Sequence, residues 1–147
     1  MSIADPATYM KLPSGTRVLF GALADDTASL KLLKDANAVG TTGRTAGFVD
    51  ATRLIDVEEK SIADMPVGEE KEFVFFDDPT DVNLQGLLAA ADAAESIKLR
   101  IEYPNGRWAD MTIVLSGWKQ QEATKGEPLK LAVTGKQNGI DRGYTAP

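Results

Sequence analysis

Between Ile97 and Ile113 the sequence alternates apolar and polar residues on both sides of a Pro104-Asn105-Gly106 turn. That pattern restricts the fold more than any other feature of the chain. Ile97, Leu99, Ile101 and Tyr103 alternate with Lys98, Arg100 and Glu102, the period-2 signature of a strand with one buried face. Pro104 supplies the fixed φ of the first turn position, and Gly106 supplies φ > 0 at its end. Folding back over these residues sets Leu99 against Met111 and Ile97 against Ile113 on one face. The other face receives Arg100 against Asp110 and Glu102 against Trp108. Apolar meets apolar and opposite charges meet, as cross-strand pairing requires. A slip of one residue would put Lys98 beside Ile113, so the register is well specified.

Upstream, Asp78-Pro79-Thr80-Asp81 reads as a helix start, with Asp78 as cap and Pro79 at the first helical position. Leu84, Leu87, Leu88, Ala91 and Ala94 recur at helical spacing and predict one amphipathic helix near 80–95. Strands are predicted at 16–21, 53–61, 71–76 and 128–135, and a second helix is an option at 27–36. The expectation is a mainly β (α+β) fold: an antiparallel β-sandwich or open barrel with one flanking α-helix. Charge is spread without a break and no linker or repeat appears, so residues 1–147 read as a single domain. An N-terminal arm at 1–15, a long glycine-rich loop at 35–47 and a C-terminal arm at 137–147 carry no regular pattern. Such segments on a small β domain suit a protein that becomes ordered by touching its neighbours.

Composition narrows the chemistry. The chain contains no cysteine and no histidine, which excludes thiolate zinc sites, cysteine nucleophiles, Ser-His-Asp catalysis and imidazole ligands. Its formal net charge of -6 argues against gripping nucleic acid or an anionic membrane surface. No apolar stretch approaches the roughly 20 residues of a membrane span. Residues 1–11 do not read as a secretory signal, so synthesis in a cytoplasm is expected.

The remaining candidates have bland readings. Gly40-Thr-Thr-Gly43-Arg-Thr-Ala-Gly47 matches neither the dinucleotide nor the Walker phosphate pattern and reads as a loop. Asp77, Asp78 and Asp81 read as helix-start residues rather than a cation site. Glu58/Glu59 and Glu69/Glu70/Glu72, flanked by Lys60 and Lys71, read as solvated faces rather than an acid/base pair. Trp108, Trp118 and Tyr103 offer a stacking platform for sugars, as in a β-sandwich carbohydrate-binding module, but read better as core or interface. No catalytic, cofactor or metal residue is assigned.

In order, the segments Phe48–Asp56 (FVDATRLID), Lys60–Met65, the Phe73–Phe76 strand, the helix, the Tyr103–Gly106 turn and Gly117-Trp118 resemble the major tail (tail tube) proteins of long non-contractile-tailed bacteriophages. The resemblance covers roughly residues 45–135; Asp64 departs from it, standing where a glycine is expected. It implies a structural virion protein with no enzymatic activity, made in the host bacterial cytoplasm. Six copies would form a ring, and stacked rings would form a tube around the tape measure protein and later around passing DNA. Tail terminator and distal tail proteins would cap such a tube, with no membrane partner. The tube of a contractile or type VI system shares these features. On this reading, ring stacking falls to Val39, Gly40, Gly43, Arg44, Gly47, Tyr9 and Tyr144. Glu58, Glu59 and Glu102 are candidates for the lumen, taken as strand positions opposite apolar alternates. Pro104, Asn105, Gly106, Gly117 and Trp118 fix the turn and strand end.

Overall fold

A computed structural model describes residues 3, 5–8, 10 and 12–146. Along the chain come β1 (Arg17–Gly21), β2 (Lys31–Leu32), β3 (Ala36–Ala38), β4 (Phe48–Asp50), β5 (Ser61–Ala63) and β6 (Glu70–Phe76). They are followed by α1 (Val82–Asp92), β7 (Ser96–Glu102), β8 (Arg107–Gln120) and β9 (Lys130–Tyr144). One antiparallel sheet has the order β2-β1-β7-β8-β9-β6-β3, and β4 and β5 form a separate two-stranded ribbon. Only Leu33–Asp35 separates β2 from β3 along the chain. The two outermost strands therefore lie within about 14 Å of each other, and the sheet must curl into a half-barrel.

The hairpin of β7 and β8 has the register its alternation predicts: Ile97 faces Ile113, Leu99 faces Met111, Arg100 faces Asp110 and Glu102 faces Trp108. Gly106 holds φ +95° in the turn, and the Tyr103 amide donates to the Arg107 carbonyl at 2.8 Å. The inner face carries Ile97, Leu99, Ile101, Met111, Ile113 and Leu115, continued by Phe73, Phe75, Leu131 and Val133. From α1, Leu84, Leu87, Leu88 and Ala91 close this core, with the helix packed across β8 and more lightly β9.

Two bulges shape the long strands. Ser116 on β8 and Asn138 on β9 have no cross-strand partner. Each extra residue bends its strand and reverses which face later side chains take. Odd positions from Ala109 to Leu115 are buried, yet after Ser116 it is Trp118 that packs on the core. After Asn138 the same reversal turns Ile140 inward. Gly117, at φ +142°, supplies the backbone the bulge needs.

Several expectations are corrected. Of the stretch 53–61, residues 53–60 are not a strand but part of the turn connecting β4 to β5, with Arg53 closing on Asp56, and only Ser61 is in β5. The segment 27–36 is no α-helix. Asp26 caps a single 3-10 turn at Thr27–Ser29, and Leu33 donates its amide to Val18, drawing the chain onto β1. The N-cap of α1 is Asp81, which accepts from the Asn83 amide, whereas Asp78 is occupied by the amide and hydroxyl of Thr80. Most of the expected C-terminal arm is β9, because Gln137–Tyr144 pairs with the first half of β8. The loop at 35–47 contains β3, and the described part of 1–15 includes a 3-10 turn at Pro6–Thr8. Lys71 was expected on a solvated face and is instead buried.

The helix closes with its own strain. Glu95 donates its amide to Ala90 and Ala94 donates to Ala91, a Schellman pair, with Ala94 at φ +54° where glycine is usual. Among the described residues, no helix is long and apolar enough to cross a membrane.

Candidate functional site

The ribbon of β4 and β5 pairs Phe48 with Ala63, Val49 with Ile62 and Asp50 with Ser61. At its base a single bridge joins Thr45 to Val67. The base is hinged on Gly68, where any Cβ would overlap the Gln137 carbonyl, so only glycine lets the chain pass. Beyond the base the ribbon leaves the half-barrel. Leu54 is 106% exposed, Val57 100%, Ile55 82% and Phe48 80%, and Val49, Ile62, Met65 and Val67 are exposed as well. Apolar side chains thus stand in solvent on both faces of the ribbon and at its tip. Large apolar side chains exposed together on one small ribbon mark an interaction site rather than a finished surface.

At the base of the ribbon lies a trough of about 460 Å³ lined by Gly40–Thr42, Tyr103, Arg107, Trp108, Arg142 and Gly143. A smaller hollow of about 210 Å³, lined by Thr41–Thr45, Glu69 and Arg142, continues it. The trough's two aromatic residues are held on opposite faces of the sheet, Trp108 with Arg100 and Tyr103 with Arg107. Trp108 packs against Gly143, at which any Cβ would overlap the indole, and carries the Arg100 guanidinium 4.6 Å above its ring. Arg100 in turn bonds Asp110 through both carboxylate oxygens, at 3.1 and 3.2 Å. The Tyr103 hydroxyl is bonded to Thr42 Oγ1 at 2.7 Å, which ties the glycine-rich loop to the turn. Arg142 lies over Gly43, and a Cβ there would come within 3.2 Å of its Nη1. Gly43 and Gly40 hold φ +142° and +65°.

Beneath this loop are two buried polar side chains. Lys71 Nζ has no hydrogen-bond partner among the described residues and sits 3.9 Å from Glu69 Oε2. Burial pushes the Lys71 ammonium below its ordinary range, partly offset by Glu69. Gln137 donates Nε2 to the Gly43 carbonyl at 3.3 Å, and its Oε1 has no partner among the described residues. At the start of α1, the Thr80 hydroxyl and amide and then Lys34, 3.2 Å away, hold Asp78 below the usual carboxylate range.

The structure gathers Gly40, Gly43 and Arg44 at the trough, with Tyr144 opposite Arg107 on the neighbouring strand and exposed. Val39 instead packs on the core, and Gly47 sits in the ribbon base, accepting the Asp64 amide. Tyr9 lies outside the described residues. Glu102 is on the outer face of β7, 3.7 Å from Arg17 and 3.8 Å from Arg100. Glu58 and Glu59 are not on a strand, as expected, but in the exposed ribbon turn. Trp108 and Trp118 do not converge: ten strand positions, about 33 Å, and a face reversal lie between them. Sequence reading missed the ribbon because the apolar pairs Leu54-Ile55 and Phe48-Val49 look like buried strand; the Asp50, Arg53 and Asp56 turn chemistry between them was the available signal.

Three solved structures share the fold across nearly the whole chain. The sheath-tube complex of an extracellular contractile injection system (PVC) in its extended state superposes with TM-score 0.70, at 9% identity over 99% of each chain. The tail of an empty gene transfer agent particle gives 0.66, at 11% identity over 93% of this chain and 100% of that one. The SPP1 tail tube gives 0.64, at 11% identity over 90% of this chain and 78% of that one. No curated protein sequence matches significantly. The chain belongs to the phage tail tube protein family, whose sequence profile it matches over residues 11–145. It is a structural tail tube protein.

Proposed function

We propose that copies of this chain assemble into hexameric rings that stack as the tube of a long, non-contractile phage tail. The tube would surround the tape measure protein, meet tail terminator and distal tail proteins at its ends, and conduct DNA without specific binding or catalysis. One observation carries the self-assembly: a ribbon whose apolar side chains Leu54, Ile55, Val57 and Phe48 are each at least 80% exposed. Burying each of these is worth about 1.5–3 kcal/mol, which favours a neighbouring copy over solvent. A contact between two different patches does not close on itself and propagates a filament, as a stacked tube requires. The glycine-rich loop and the two termini join the ribbon in that stacking. The net charge of -6 suits a bore that repels DNA phosphates within a Debye length of about 8 Å, with Glu102 on a sheet face as a candidate lining residue.

Electron microscopy of the concentrated purified chain tests this reading. Six-fold rings or tubes of uniform width are expected; a protein that stays monomeric at high concentration, alone and with tail partners, would refute it.

A further inference from the structure

We propose that the trough bounded by Arg44, Arg107 and Arg142 receives the ribbon tip of a second copy of this chain, with that copy's Glu58 and Glu59 as the carboxylates it takes. The inference rests on the tube reading and goes beyond it by naming both halves of one contact. The three arginines are exposed, and none makes an ion pair among the described residues, in a chain with more acids than bases. Three nearby carboxylates are committed elsewhere. Glu69 faces Lys71 and Thr41, Glu102 faces Arg17 and Arg100, and Asp110 holds Arg100. Asp141 alternates with Arg142 along β9 and so takes the other face.

The tip has the complementary chemistry. Leu54, Ile55 and Val57 stand exposed beside Glu58 and Glu59, and Arg53 does not neutralise those two because it is closed on Asp56 at 2.9 Å. A trough whose Tyr103 hydroxyl is tied to Thr42, with arginines at the rim, suits an apolar tip carrying carboxylates, since guanidinium and carboxylate pair through two parallel hydrogen bonds. A chain cannot make this contact with itself. Its ribbon is pinned at Thr45–Val67 beside its own trough, and the strand pair Phe48–Asp50 with Ser61–Ala63 holds the tip away from that base. Tip and trough are therefore different patches joined between copies, the heterologous geometry that propagates.

Charge reversal and its compensation provide the test, read as the concentration at which wild type and variants form tubes by sedimentation and electron microscopy. R107E/R142E and, separately, E58R/E59R should each raise that concentration at least about tenfold, and the four substitutions in one chain should recover most of the loss. All act at exposed side chains, so melting temperatures should stay near wild type; R107Q/R142Q serves if reversal disturbs the fold. Wild-type assembly by R107E/R142E, or failure of the combined chain to recover, overturns the trough assignment and leaves the tube reading standing. Absence of tubes from the wild-type chain overturns both. Arginine-dependent retention of a short DNA duplex at physiological salt would make the trough a phosphate site, which also overturns the proposal.

Discussion

Two hairpins built from similar residue types have opposite fates in this molecule. In β7 and β8, Ile97, Leu99, Ile101, Met111 and Ile113 are buried, whereas in the ribbon of β4 and β5, Phe48, Val49, Ile62 and the tip residues are in solvent. The difference lies in what each hairpin finds to lean on. The first sits in the middle of a seven-stranded sheet under α1. The second has only itself, and an isolated two-stranded ribbon is marginal in water. Apolar content therefore does not by itself identify a core: one set of side chains stabilises the subunit, and the other is held for a surface the subunit does not possess.

The comparison breaks most sharply under core truncation. Leu99→Ala, at a fully buried position, should destabilise the subunit by about 3–4 kcal/mol, measured by urea unfolding. A loss below about 1 kcal/mol would mean that the sheet interior is not the stabilising half. Gly68→Ala strikes the hinge between the two regions, where the new methyl must displace the Gln137 carbonyl. About 1–3 kcal/mol of destabilisation is expected from the forced backbone shift.

The sequence was legible where each local rule had a single answer. The β7–β8 register followed from alternation plus the Pro104–Gly106 turn, because a one-residue slip would set Lys98 beside Ile113. The extent of α1 followed from its leucine spacing, but its cap did not, since Asp78 and Asp81 are equally good caps and only Thr80's hydrogen bonds choose between them. The bulges at Ser116 and Asn138 were not legible, and without them the 137–144 segment, rich in Gly139, Gly143 and charge, lacks a strand pattern. As for the site, Gly40, Gly43 and Arg44 were picked out as contacts, but their assembly with Arg107 and Arg142 depends on β9 folding back along β8, which is a long-range fact.

Two smaller changes sharpen the stable half. Lys71→Met removes a buried ammonium without a hydrogen-bond partner and should stabilise the subunit by about 1 kcal/mol at neutral pH. The sign with pH follows from the lowered folded-state value of Lys71. Between that value and its ordinary 10.5 the unfolded chain binds more protons, so wild-type stability gains from rising pH there, and Lys71→Met should flatten this gain in alkaline thermal melts. Ala94→Gly relieves a left-handed alanine at the end of α1 and should add up to about 1 kcal/mol, read as a rise in melting temperature.

The smallest effect on folding should come from the most hydrophobic surface. L54S/I55S/V57S replaces three side chains that are at least 82% exposed, so its unfolding free energy should stay within about 0.5 kcal/mol of wild type. Its assembly should nevertheless be lost, because those side chains are the apolar area that a neighbouring copy would bury. Both readouts are needed. A large loss of stability would show that the ribbon belongs to the subunit's own fold, which erases the contrast between the two hairpins. Unchanged stability with unchanged tubes would show that the contrast exists but serves no contact between copies. Only a stable chain that no longer polymerises separates the residues that make the subunit from those that make the tube.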